Sequence, residues 1–402
     1  MDTAPLSDTA PLSDTAPLSD TAPLSDIRVL EFGHYIAGPF CSQILADQGA
    51  DVIKVEPPEG DASRSTVPLS YNDVYFHALN RNKRSVMLDL KSESGQESLI
   101  PLLRTADVVV TNYAVGIPER LGFGYEQVRE INPGLVYVHA SGFGNDSPYA
   151  KRPAFDGIIQ AMSGLVHLTG EPDGMPMQAG LFVPDHVTGL YAALAVMFGL
   201  TRRQSTGEGS FTDLSMLDSM MSLLGPCLAE SLQLGVSPMR VGSRVRRSYA
   251  GTYTAADGYV YLAPMTLRMW TALAGVVDAP QLLPYFTDAD TDTRLEHRDE
   301  LDRVIEAWTR AHPVAEVVAR MGEVGVPSSP IFSVDALAAD PHVRHRGMVR
   351  SIPMESGSGE VVVPGSPLPV VDSAFASGPP SIGEHTEEIL GVDPSDPVRH
   401  PA

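Results

Sequence analysis

The stretch IRVLEFGHYIAGPFCSQILADQGADVIKVE (27–56) decides the fold. IRVLEF is a short apolar run, as expected of a parallel strand buried on both faces. GHYIAGP then leads into a short helix, FCSQILADQ, with Pro39 suited to its first turn. Gly49 closes that helix, and ADVIKVE (50–56) is the next strand. Strand, helix and strand in so few residues make a compact βαβ unit.

The same alternation continues outward. SVMLDL (85–90), DVVVTNY (107–113) and GLVYVHASGF (134–143) read as further strands. SESGQESLIPLLRTA (92–106) reads as a capped amphipathic helix. This order predicts an α/β fold, a mostly parallel sheet with helices on both faces. Residues 187–235 are helical and rich in Leu and Met, interrupted by RRQSTGEGSFTDLS (202–215) with a strand inside it. VTGLYAALAVMFGL (187–200) is too short to span a bilayer and reads as a buried helix. YAGTYTAADGYVYLA (249–263) carries a hairpin signal around Ala-Asp-Gly, and 297–322 is helical.

At 402 residues the chain is long enough for two or three domains. Its 28 Lys and Arg against 50 Asp and Glu give a net charge of −22, which excludes nucleic-acid binding through net charge. Two cysteines, Cys41 and Cys227, form no disulfide framework and fit a reducing cytoplasm. No Cys/His cluster has zinc spacing, so no metal is expected, and no segment predicts a membrane anchor. Residues 2–25 are four copies of DTAPLS, and 1–25 reads as a disordered tail because Pro and Asp recur in every copy.

Several nucleotide and hydrolase signatures are missing. The first strand–helix turn reads GHYIAG, without the G-x-G-x-x-G that lets a backbone approach a pyrophosphate. There is no P-loop and no G-x-S-x-G elbow. Two features remain. NRNKRS (80–85) is a basic knot in an acidic chain, either a solvated loop or a pocket for a polyanionic small molecule. Asp185, in GLFVPDHVTGLYAA, precedes a strongly apolar helix. It reads either as a plain N-cap or as a carboxylate held ionised by the helix end in a dry site, and so a usable nucleophile.

Together the motifs resemble the class III CoA-transferases, the CaiB/BaiF family. The resemblance runs from about residue 23 to about 393. It rests on 27–61, NRNKRSVMLDLKSESG (80–95), ADVVVTNYAVGIPERLGFGYEQVREINPGLVYVHASGFG (106–144), FDGIIQAMSGLVHLTGEPDG (155–174), GLFVPDHVTGLYAA (180–193), ADGYVYLA (256–263), DPHVRHRGMV (340–349) and GEHTEEIL (383–390). It implies a large Rossmann-like domain from both chain ends (26–200 and 330–402), a linker helix region (201–225) and a small α+β domain (226–329). It also implies an interlocked homodimer with the active site between domains.

The resemblance places the nucleophile at Asp185. It lays CoA along His34, Tyr35, Ile36 and Ala37, with Lys83, Arg84, Leu88 and Lys91 toward the nucleotide and Asn112, Tyr113 and Arg120 as further contacts. Pro57 replaces a basic contact of some members, and Arg64 is expected to compensate. Ile36, Phe155 and Asp156 form the substrate pocket. The implied reaction moves CoA from an acyl-CoA donor to a carboxylic acid through mixed anhydrides and an aspartyl-CoA thioester, with coenzyme A as substrate and no permanently bound cofactor. Succinyl-CoA is the donor this reading names, with a branched or unsaturated C4–C5 acid as acceptor.

Two alternatives stay open. One is α-methylacyl-CoA racemisation, although Phe155 and Met265 stand where that chemistry places a His and a Glu. The other is a non-catalytic acyl-CoA-binding protein.

Overall fold

The structure, a computed structural model, describes residues 22–64, 74–246, 248–284, 297–354, 359–370, 375 and 377–391. Most of the DTAPLS tail therefore lies outside the described residues. Its last copy does not behave as a free tail. Leu24 is buried, and its backbone N–H donates to Gln48 O at 3.0 Å. Gly49 sits in the left-handed region at φ 92°, where a Cβ would meet Ala22 at 2.2 Å.

The chain divides into two units. One comprises Met1–Gly164, Ala179–Gly235 and Asp340–Ala402, and the other Leu165–Gln178 and Val236–Ala339. The first unit is built on a six-stranded parallel sheet. Its strands are β1 (Arg28–Phe32), β2 (Asp51–Glu56), β3 (Lys83–Met87), β4 (Val108–Thr111), β5 (Val136–Ser141) and β6 (Ser210–Ser215). Their order is β3-β2-β1-β4-β5-β6, the doubly wound arrangement whose direction of winding reverses between β1 and β4. Residues 201–225 are thus no linker, because β6 pairs in register with β5, Val136 opposite Ser210.

Alternate strand residues feed two cores. Val29, Val52, Val108, Val110 and Val138 pack with Cys41, Leu45, Ala192 and Val196. These last belong to helix α1 (Ala37–Asp47) and to the long helix Val183–Thr206. On the other face Leu30, Phe32, Ile53, Val86 and Val109 pack with Leu99, Leu102 and Leu103 of helix α2 (Glu93–Thr105). Ser92 caps α2 by accepting the Gly95 N–H at 3.0 Å.

After β5 come helix α3 (Asp156–Met162) and then the long helix, α4 (Val183–Thr206). At Gly189 α4 approaches α1 so closely that a Cβ would lie 2.9 Å from Ala37 O. The expectation of a fully buried helix holds for one face only. Leu190, Tyr191, Leu194, Met197 and Phe198 are exposed, while Ala192, Ala193, Val196 and Leu200 form the packed face. Alone among the described helices, α4 is long and apolar enough to cross a membrane, and its packed face is the inner layer of the first core.

The second unit has its own core. β7 (Gly251–Thr254) and β8 (Tyr259–Leu262) form the expected hairpin, and β9 (Ser328–Pro330) adds antiparallel to β8. Trp270, Leu273, Leu301, Ile305, Val317 and Met321 pack with Tyr253, Val260 and Leu262 of the hairpin. The helical stretch expected at 297–322 is two helices, Arg298–Thr309 and Val314–Glu323, separated at Pro313.

Candidate active site

A parallel sheet presents backbone and loops at the carboxyl ends of its strands, and the winding reversal leaves a crevice there. The loop after β1 and the loop after β4 meet at that point. Asn112 ties them together. Its Oδ1 accepts the His34 N–H at 2.9 Å, and its Nδ2 donates to His34 O at 2.8 Å. Tyr35 is held in the left-handed region at φ 60°, unusual for a bulky residue, and its N–H donates to Asp61 Oδ1 at 3.2 Å.

Beneath this turn lies a buried charge network. Lys54 Nζ reaches Glu31 Oε1 at 2.6 Å, Asp61 Oδ2 at 2.7 Å and Gly33 O at 2.9 Å. Lys83 Nζ bonds Glu31 Oε2 at 2.7 Å, Asn80 Oδ1 at 2.8 Å and Pro39 O at 2.9 Å. Burial alone would raise the Glu31 and Asp61 carboxyls. For Asp61 the Lys54 ammonium and His34 outweigh burial, and for Glu31 Lys54 and Lys83 do, so both stay well below their ordinary range. The network fixes the turn from below and leaves its upper side free for a ligand.

That upper side borders a cavity of about 680 Å³. His34, Tyr35, Ile36, Ala37, Asn112, Tyr113, Phe155, Asp156 and Asp185 all line it. The size suits a small-molecule site, and most of the wall is apolar. Tyr35 and Phe155 meet edge to face with ring centroids 6.2 Å apart.

Asp185 is not an N-cap. The cap of α4 is Phe182, and Asp185 stands in the first helical turn. Its N–H donates to Asp156 Oδ2 at 3.4 Å, so two carboxylates share this corner. Gln160 Nε2 holds the other oxygen of Asp156, while Gln160 Oε1 accepts the Ala179 N–H at 3.0 Å. The expectation that the helix end keeps Asp185 ionised is corrected here. Burial, reinforced by the Asp156 charge, pushes the Asp185 carboxyl up to about 7. Tyr75 also lines the cavity. Burial and both aspartates push its phenol upward, so it remains a hydrogen-bond donor.

The cations of the basic knot are paired within the fold. Arg81 forks onto Asp47, Lys83 is buried on Glu31, and Arg84 holds Asp51 at 2.6 Å and Glu388 at 2.9 Å. Each cation neutralises an acid of the βαβ unit. Arg64 is likewise paired. It grips Glu56 with two bonds of 2.8 Å, donates to Pro380 O and stacks 3.4 Å from the centre of the Phe76 ring. Leu88 is buried in the second core, whereas Lys91 and Arg120 are exposed. None of these seven residues lines the cavity. Met265 is exposed in the second unit. Among the described residues no group of three His, Cys, Asp or Glu is placed to hold a metal ion.

Sequence reasoning missed Tyr75, Gln160 and Arg152. The first two lie in no pattern that marks a site, and Arg152 reads as one more loop cation. Asp156 lay in view, but its pairing with Asp185 spans 29 residues and emerges only from the packing of α3 against α4.

A doubly wound sheet with a ligand cavity at its winding reversal and an aspartate pair at the cavity wall make an α/β protein with a small-molecule site. The sequence profile of CoA-transferase family III matches residues 24–386. The succinyl-CoA:mesaconate CoA-transferase of Haloarcula hispanica is 35% identical over 90% of this chain and 94% of its own length. The succinate–glutarate CoA-transferase of Agrobacterium fabrum is 35% identical over the same shares. The crystal structure of a CaiB/BaiF family protein from Brucella suis superposes with a TM-score of 0.83 at 34% identity, covering 92% of this chain and 99% of that one. The chain belongs to CoA-transferase family III, and it is an enzyme of the CoA-transferase class.

Proposed function

We propose that this enzyme carries CoA from a dicarboxylic acyl-CoA, succinyl-CoA foremost, to a second carboxylic acid through a covalent intermediate on Asp185. The observation that carries this reading is the placement of the Asp185 carboxylate in the cavity that the His34–Ala37 turn and Asn112 also line. The names of the two relatives support the substrate class.

In the first step an Asp185 oxygen attacks the thioester carbonyl, the C–S bond breaks and CoA leaves as thiolate. A mixed anhydride remains. The thiolate attacks the aspartyl carbonyl, the anhydride C–O bond breaks and the donor acid departs, leaving an aspartyl-CoA thioester. The acceptor carboxylate attacks that thioester and expels the thiolate. The thiolate then attacks the acceptor's acyl carbon, which frees the new acyl-CoA and regenerates the Asp185 carboxylate. Every step exchanges one activated acyl for another, so no ATP is consumed. In this reading Tyr75, which lines the same cavity, donates toward charge that develops on the carbonyl oxygens.

The enzyme works in the cytoplasm as a homodimer in this reading, with the exposed stripe of α4 as part of the interface. Intact-mass spectrometry with a panel of acyl-CoAs, followed by peptide mapping, tests the mechanism. An acyl or CoA adduct on the Asp185 peptide, released by hydroxylamine, is expected. No adduct, together with deuterium entering the acyl α-carbon in heavy water, would establish racemisation instead. Neither adduct nor exchange would leave a binding protein.

A further inference from the structure

The cavity wall contains a cation without an acid of its own. Arg152 lines the cavity beside Pro153, Ala154 and Phe155. Its backbone N–H donates to Tyr149 O at 2.8 Å, which folds residues 149–152 into a turn. The guanidinium lies 4.7 Å from the centre of the Tyr149 ring and 5.8 Å from that of Phe143. Cation–π contact of this kind orients the group without neutralising it. Among the described residues no carboxylate pairs with it. Arg28, Arg64, Arg81 and Arg84, in the same unit, each hold an acid.

The other charged wall residues are already committed. His34 faces Asp61 at 3.6 Å, and Asp156 and Asp185 are like charges in one corner. A second free carboxylate entering this mostly apolar cavity would be desolvated and repelled by both aspartates. It needs a cation, and the forked guanidinium matches a carboxylate in two bonds. We infer that Arg152 binds the free terminal carboxylate of a dicarboxylic acyl group, and so selects dicarboxylic over monocarboxylic acyl-CoA substrates. This inference rests on the transfer reading given above.

Transfer rates with succinyl-CoA and with butyryl-CoA test it, since the two share the whole CoA portion and differ in the terminal carboxylate. The wild type is expected to favour succinyl-CoA. Arg152→Met should lower kcat/KM for succinyl-CoA by about 30- to 100-fold, the range of a lost hydrogen-bonded charge pair. It should change butyryl-CoA by less than about threefold, and Arg152→Lys should recover part of the loss with succinyl-CoA. Persisting butyryl transfer also shows that the variant is folded. Equal losses on both substrates would assign Arg152 to the CoA phosphates or to the fold and overturn the inference. So would a wild type that does not discriminate. Absence of any Asp185 adduct in the wild type with either substrate would instead overturn the transfer reading, and this inference with it.

Discussion

At the scale of the single residue, the proposed mechanism turns on how Asp185 holds its proton. Only the carboxylate is a nucleophile, and its carboxyl titrates at about 7. Transfer should therefore rise with pH through neutrality and flatten above it, as measured by kcat/KM from pH 5.5 to 9. Asp156→Asn removes the neighbouring charge and should move that rise to lower pH. An unmoved profile would show that Asp156 does not act on Asp185. Asp185→Asn should abolish transfer, since the amide is no nucleophile, yet leave the fold intact. The same shift has a stability consequence. A carboxyl with a raised folded pKa contributes stability that is present at low pH and lost as pH climbs from its unfolded value near 3.8 toward 7. Asp185→Asn should accordingly stabilise the protein at pH 8, by about 2 kcal/mol or less given partial solvent access, and hardly at pH 4. Urea unfolding at the two pH values checks both signs.

At the scale of the element, the turn between β1 and α1 shows what the sequence reveals and what it hides. The βαβ unit was legible because apolar runs and a closing glycine are local signals. Asp185 was only half legible: local rules read an acidic residue opening an apolar helix equally as an N-cap, and its expected role as nucleophile came from the family resemblance. The meaning of the basic knot was not legible. Arg81, Lys83 and Arg84 are adjacent in sequence, but their acids Asp47, Glu31 and Asp51 come from three other elements. Only the strand order brings these pairs together. The buried network makes a sharp prediction. Lys54→Met leaves Glu31 and Asp61 buried with their main counter-ion gone, and should cost about 3–5 kcal/mol in urea unfolding. Adding Glu31→Gln to that variant should recover part of the loss, because one uncompensated charge is then removed. If the double variant is as unstable as the sum of the singles, the two residues are not coupled and the network does not support the turn.

At the scale of the whole molecule, the outer face of α4 is the feature the single chain leaves unexplained. Leu190, Leu194, Met197 and Phe198 recur at helical spacing, so they form one stripe, and all are exposed. Their helix neighbours on the opposite face are fully packed, so the stripe is not a loosely built core. A contiguous apolar stripe on a protein of net charge −22 is a site for association rather than for solvent. If a second copy covers it, burying four large side chains per chain supplies a substantial part of a stable interface. Sedimentation equilibrium should then give twice the 43.0 kDa chain mass. Leu194→Glu with Phe198→Glu places charge inside the buried stripe, and should yield a monomer or a dimer weakened by at least about 100-fold. The proposed nucleophile, Asp185, lies in the first turn of this same helix, so the dissociated variant should also lose transfer activity. A wild type that sediments as a monomer, or a doubly charged variant that remains a tight dimer, would refute the assignment of this face to the interface.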